Sequence, residues 1–491
     1  MTTTSVRRLA RASVLALLAA ILLPARPARA QDAMTLQEAI AIAQRQGHQA
    51  RAALYTREAG FARDRAFGAG LLPQVSLAGN LPVYNRSIIP VLQPDGSTLF
   101  RSQQQHDMSL TMNVTQQLPF TGGELFVSSA LARLEVTGER ETRSWSSTPF
   151  QVGIRQSLLR PNTAGWNSRE QHLRSAVIDR QYVEAREDVA IATVTAFFDY
   201  FAARVTLANA TTNSIFNDSL FVLNQGRFEV GKIGENELLQ SELQLLRSRT
   251  TLDGARLEHD RTLAALRLQL NLPIGSALDV AAPSRVPDIR ADTALAVAQA
   301  LRNRAQPREL ELQDVQAQRR VNEARLNSGV GATVQASMGF NQSGGEMDAV
   351  YRDLLEAQRV SVSVQMPLVR WGGRSAEIQA ARSDLARTQV LAQQTREQLV
   401  QEAHFAALQA EQSRRQFDLS AKADTVAAKG FEVARNRYSI GKIDLNALLI
   451  AQNAKDQALT AYVTSMRGYW LAYYRLRRAT LYDFEAGDSI R

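Results

Sequence analysis

The chain has 491 residues, no cysteine and a formal charge of +9, of which five arginines in the first thirty residues contribute more than half. Without cysteine there are no disulfides, no thiol nucleophile, no Cys-ligated metal and no N-terminal lipid-modified cysteine. The small residual charge of about +4 does not suggest a nucleic-acid partner.

Residues 1–30 read as a secretory signal peptide. Arg7, Arg8 and Arg11 precede the apolar run ASVLALLAAILLP, and ARA at 28–30 is a small-residue cleavage site before Gln31. The apolar run is too short to span a bilayer. No later segment approaches 18 uninterrupted apolar residues, so the sequence predicts no transmembrane helix. An exported chain of this kind is periplasmic, extracellular or a β-barrel protein of an outer membrane.

After the leader, helix is expected over 35–68. Four alternating stretches follow: QVSLAGNLPV (74–83), MSLTMNVTQQL (108–118), ELFVSSALARLEV (124–136) and FQVGIRQSL (150–158). The proline-free segment 164–226 predicts one helix of about 95 Å. A helix of that length, with Val189, Val194, Phe197, Phe198 and Phe201 spread among charges, needs partners along it. A Gly-centred turn, RFEVGKIGENELL from Arg227, leads into helix over 234–270. The stretch NLPIGSALDVAAPSRVPDI, punctuated by Pro273, Gly275, Pro283 and Pro287, reads as a connector. The pattern then recurs: helix over 292–328, strands VGATVQASMGFN (330–341) and RVSVSVQMPL (359–368), helix over 374–436, the turn RYSIGKIDLNALL from Arg437, and helix over 444–484.

The recurrence extends to single residues. The two turns share Arg227/Arg437, Gly231/Gly441, Lys232/Lys442, Ile233/Ile443, Asn236/Asn446 and Leu238/Leu448, 210 positions apart. AIAIAQRQGHQAR (39–51) aligns with AVAQALRNRAQPR (296–308) at an offset of 257, so the first half carries 47 extra residues between these points. The surplus falls among the strands, four in the first half against two in the second. Residues 31–272 therefore form a first structural repeat, 273–290 a connector and 291–491 a second repeat.

Each strand stretch runs nine to twelve residues, the length a tilted strand needs to cross a bilayer with one face to lipid. The same pattern would suit an amphipathic sheet in a soluble domain. Up to six strands cannot close even a barrel of eight, and an open edge in hydrocarbon costs several kcal/mol per unpaired group. In a membrane, several copies would have to pool their strands, with the polar helices extending the tube into water.

The duplicated turns, the TLQEAIAIA opening at 35 and the strand-to-helix passages QSLLRP…REQ and VQMPLVRWGGRSAEIQAARSDLA resemble the TolC-like outer-membrane efflux proteins over about 34–485. The resemblance implies a mainly α fold with a membrane β-barrel portion. A homotrimer would form a 12-stranded barrel, four strands per chain, continued by a long periplasmic coiled-coil tunnel. It implies the outer membrane of a Gram-negative bacterium and the exit duct of a tripartite efflux pump or type I secretion system. Such a duct engages a periplasmic adaptor and, through it, an inner-membrane pump, and needs no cofactor.

The resemblance places Arg227, Gly231, Lys232, Leu238, Arg437, Gly441, Lys442 and Leu448 at adaptor-docking hairpin tips; the leucines could equally pack within the coil. Aspartates that commonly line the narrow tip are replaced by Ala447 and Ile450. That leaves an apolar constriction or a relocated ring of Glu235, Glu237 or Asp444, with Tyr438 holding the aperture shut by bonding neighbouring tips. The surplus hairpin, including PFTGGE (119–124), either elaborates the extracellular mouth or enlarges the barrel. Five scattered histidines (48, 106, 172, 259, 404) and the lack of nucleotide or nucleophile motifs speak against an enzyme. The rival reading is a periplasmic coiled-coil adaptor or scaffold protein.

Overall fold

A computed structural model describes residues 33–137, 141–283, 286–287, 289 and 291–490; the leader lies outside them. In the first half the elements are α1 (Leu36–Gln46), α2 (His48–Gly70), β1 (Gln74–Leu92), β2 (Thr98–Leu118), β3 (Gly123–Thr137), β4 (Thr142–Leu158), α3 (Thr163–Glu229) and α4 (Glu235–Gln269). The second half has α5 (Thr293–Asn303), α6 (Gln306–Asn327), β5 (Gly331–Gly344), β6 (Leu355–Gln365), α7 (Gly373–Ser439), α8 (Leu445–Thr480) and the short pair β7 (Tyr482–Asp483) and β8 (Asp488–Ser489). Two compact units interleave along the chain. The first takes the chain up to Arg51, then Asp188–Ile289 and Ala410–Arg475; the second takes Ala52–Glu187, Arg290–Gln409 and Leu476 onward.

The expected helices over 35–68 and 292–328 are each broken once, at the same repeat position. Gly47 is extended (φ −61°, ψ 147°), and a Cβ there would collide with the Ala43 carbonyl oxygen. Arg304, 257 positions later, is extended too (φ −63°, ψ 153°), and Pro307 sits in the first turn of α6. Single-turn breaks of this kind leave the 3.6-residue periodicity on both sides intact, so the pattern alone hides them.

In the second unit, β1 to β6 form one antiparallel sheet in sequence order, which remains open. The strands run 11 to 21 residues. They outrun the alternating stretches because segments such as SQQQHD (102–107) keep the ladder while carrying no apolar signal. One face is apolar across the sheet: Val75 pairs with Val114, Val114 with Val127, Val127 with Val152 and Val152 with Met338. On the other face, Ser128 Oγ donates to Gln151 Oε1 (3.3 Å) and Gln151 Nε2 donates to Ser337 Oγ (3.0 Å), tying β3, β4 and β5 together. The sheet holds six strands, two more than the four per chain that the resemblance implies, and the surplus hairpin is part of it. Its PFTGGE turn is also fixed in place. Asn162, just before α3, donates through Nδ2 to the Pro119 carbonyl (2.7 Å), and Gln156 Nε2 donates to that of Thr121 (2.9 Å). The turn therefore lies at the helix end of the sheet, not at the opposite mouth.

Helix packing in the second unit centres on buried ion pairs. Arg304 Nε donates to Glu184 Oε1 (2.9 Å), both side chains being nearly buried, while Arg478 reaches the other Glu184 oxygen (3.1 Å) and Glu402 takes the outer side of Arg304 (3.3 Å). α3 contains an 18-residue window apolar enough by length and composition to cross a bilayer, although charged residues interrupt it; half of that window is buried. Phe197 and Phe198 of α3 are fully buried and meet edge to face at 5.5 Å, so this reads as a core helix. The connector is pinned to α3 by Tyr200, whose hydroxyl donates to the Leu278 carbonyl (3.2 Å), and by Arg204, which pairs with Asp279.

Breaking a buried pair costs more than breaking an exposed one. Arg304→Met is expected to destabilise the detergent-solubilised protein by about 3 kcal/mol. Glu402→Gln, whose side chain is 52% exposed, is expected to cost under about 1 kcal/mol. Thermal melting of the two variants checks the order; equal losses would refute it.

Candidate functional site

Both duplicated turns belong to the first unit, and both end a long helix in the same way. Gly231 (φ +69°) and Gly441 (φ +72°) take the left-handed conformation that a side chain disfavours. The Gly231 and Lys232 N–H groups donate to the Phe228 and Arg227 carbonyls (both 2.8 Å); Gly441 and Lys442 repeat this with Tyr438 (2.9 Å) and Arg437 (2.8 Å). This pair of bonds satisfies carbonyls that a helix end otherwise leaves open. The shared Arg-x-x-x-Gly-Lys spelling is thus a helix stop first.

The helices that leave the turns start differently. Asp444 Oδ1 accepts the Ala447 N–H (2.8 Å) and so caps α8, whereas Gly234 offers α4 no side-chain cap. Glu235 and Glu237 lie in the first turn of α4, where a negative charge suits the helix dipole. Of the proposed gate carboxylates, Asp444 is therefore already engaged, while Glu235 is exposed and Glu237 half-buried.

The two turns meet through Tyr438. Its hydroxyl donates to Asn224 Oδ1 (2.7 Å), its ring lies beneath the Arg227 guanidinium (4.9 Å), and Arg227 Nη2 donates to the Ser439 carbonyl (3.1 Å). Beneath this, Leu220, Leu445 and Leu448 form a buried cluster, flanked by Phe216 and Phe431 edge to face at 5.5 Å. The lock joins the two hairpins of one chain. It is also one-sided. Phe228 stands where the repeat places the counterpart of Tyr438 and is 40% exposed, and Arg437 is exposed where Arg227 is engaged. Leu448 is wholly buried, so it supports the tip from within; Leu238 is half-buried, and Lys232 and Lys442 are exposed. A cleft of about 710 Å³ opens between the turns, lined by Arg227, Lys232, Glu237, Tyr438, Lys442 and Asp444.

Farther along α3 the contact is polar. Asn209 and Asn213 donate to the two oxygens of Asp456 (2.8 Å each), and Lys455 donates to both Asn carbonyl oxygens (3.0 and 3.2 Å). The sequence reading missed this ladder and Asn224. Its one legible sign was asparagine at 209, 213 and 217, spaced by four, within a proline-free helix. Along α7 and one residue past its end, an apolar row is exposed: Leu419, Val426, Val433 and Ile440 recur every seven residues and are all more than half exposed.

An amphipathic open sheet, two long helical hairpins and a duplicated turn together give the fold of bacterial outer-membrane channels. The Campylobacter jejuni CmeC outer membrane channel shares it with a TM-score of 0.66 at 16% identity, over 93% of this chain and 86% of that one. The Vibrio cholerae outer membrane protein VceC gives 0.64 at 13% identity over 93% and 97%, and the open state of the Neisseria gonorrhoeae MtrE outer membrane channel gives 0.60 at 15% over 91% and 88%. No family model matches the sequence, nor does any curated protein.

Tyr438→Phe removes the hydroxyl and strands Asn224, at a cost of about 1–2 kcal/mol. Amide exchange over 224–232 and 437–444 should then speed up by roughly 5–30-fold; unchanged protection would show that the bond does not hold the turns together.

Proposed function

We propose that the chain is the outer-membrane channel of an efflux system, a passive duct from periplasm to exterior formed by three copies. The observation that carries this is the sheet. Its apolar face is exposed on each of the six strands, from Leu77 on β1 to Val360 on β6, and among the described residues both outer edges are unpaired. In water such a face is a liability; in a bilayer it is a lipid-facing band, provided other copies complete the ladder. The exposed seven-residue row on α7 supports the same assembly, since apolar residues at that period bury against a neighbouring helix. A soluble periplasmic adaptor or scaffold would leave the sheet's apolar face unaccounted for.

In this reading the hairpin tips face the periplasm and meet an adaptor that links the duct to an inner-membrane pump, in a tripartite efflux or type I secretion assembly. The exposed Lys232, Lys442 and Arg437 and the cleft between the turns are the surface offered. The Tyr438–Asn224–Arg227 lock holds the two hairpins of each chain together, and so biases the tunnel end toward closure.

Fractionation tests the reading first: the mature protein should pellet with outer membranes and migrate as a heat-sensitive trimer, and recovery as a soluble periplasmic monomer would refute it. Tyr438→Ala should raise ion conductance in planar bilayers; an unaltered conductance removes the tyrosine from the gate. Gly231→Pro combined with Gly441→Pro forces φ to about −65° at both caps. Export should stop while the trimer stays in the membrane, and undiminished export would count against docking at the tips.

A further inference from the structure

We infer that all six strands lie within the bilayer and that three copies close an eighteen-stranded barrel, β6 of each pairing with β1 of the next. The inference rests on the channel reading and revises the twelve strands that the resemblance implied.

Each of β1 to β6 is at least 11 residues long, enough to cross the hydrocarbon at a tilt. The apolar face continues through the surplus hairpin up to a bulge in β4, where the register shifts between Ser147 and Gln151. Leu125 on β3 pairs with Ile154 on β4, Ile154 with Ala336 on β5 and Ala336 with Val360 on β6, all on the apolar face. A one-residue slip at any of these ladders would turn that strand's apolar residues to the wet side. The surplus strands therefore share the membrane orientation of the rest.

The order of the sheet makes this firmer. β2 and β3, the hairpin joined by the PFTGGE turn, are interior strands, each paired on both sides. A four-stranded contribution would have to shed strands from an edge, for example β1 and β2. That would break the continuous β2–β3 register from Gln104↔Thr137 to Leu118↔Gly123, and would leave Val75, Leu77, Met112 and Val114 in water. The β2–β3 turn also lies at the level expected of a membrane-spanning hairpin. It abuts Asn162 at the helix end of the sheet, and its Phe120 is 97% exposed. At the β6-to-α7 junction, Trp371 is 95% exposed. Aromatics at such positions suit the membrane–water interface.

A second copy of the chain is the occupant both edges call for. Six strands alternate direction, so β1 and β6 run antiparallel, and β6 of one copy meets β1 of the next as one more antiparallel pair. The apolar face reaches both edges, through Leu77 and Val362, so each junction continues the lipid-facing band. One copy is below the smallest common barrel of eight; eighteen lies within the observed range. At strand spacing near 4.8 Å and tilt near 40°, the barrel would be about 36 Å across, against about 24 Å for twelve strands.

Electron cryomicroscopy of the full protein in lipid nanodiscs should show eighteen strands in a threefold ring. A membrane-inserted threefold assembly with twelve strands would overturn the inference while leaving the channel reading intact; a water-soluble monomer would overturn both. The chain has no cysteine, so a single introduced one reports alone. A fluorophore on Val127→Cys in β3 should lose its emission to brominated lipid as fully as one on Val362→Cys in β6. Quenching at 362 without quenching at 127 would place the surplus hairpin outside the bilayer and refute the eighteen-strand barrel.

Discussion

A sheet edge is a row of unpaired N–H and C=O groups. Water tolerates it, and hydrocarbon does not, because nothing there replaces the missing partner. This chain makes a six-stranded sheet with one apolar face and leaves both edges open. The two facts conflict in any monomer: the face asks for lipid, and the edges forbid it. Pooling strands between copies resolves the conflict, and the other proposed features follow from that step. Helices must continue the tube, exposed apolar rows on them must find neighbours, and the far end must be closed by something other than the membrane.

At that far end the duplication shows what repetition conserves and what it releases. The glycine cap is the same in both turns because backbone geometry demands it: a left-handed residue with two converging hydrogen bonds stops a helix without a strained side chain. The contacts around the caps differ. Arg227 is spent on the Tyr438 ring and the neighbouring carbonyls, while Arg437 stays free for solvent or a partner. A symmetric spelling thus yields an asymmetric tip. The asymmetry arises from the contact between the hairpins, which neither turn contains by itself.

Much of this was legible in the residues. Periodicity placed all six strands and the long helices, because face alternation and the absence of proline are local properties. The repeat offset placed the surplus residues among the strands. The helix breaks at Gly47 and Arg304 stayed hidden, since one extended residue barely disturbs the apolar pattern around it. Strand ends such as SQQQHD stayed hidden for a different reason: a ladder whose side chains are polar leaves no apolar trace. The Asn224–Tyr438 bond joins residues 214 apart and could not be read from either neighbourhood.

The sequence by itself determined the run of helices and strands and the glycine-stopped turns, all of which depend on residues within a few positions of one another. Only the tertiary structure decided that β4 pairs with β5 across the two halves, that the PFTGGE turn faces the helices, and that the surplus hairpin lies inside the sheet and not at an edge. Strand order depends on which backbones satisfy each other's hydrogen bonds across long loops, and alternation along one strand says nothing about its neighbour.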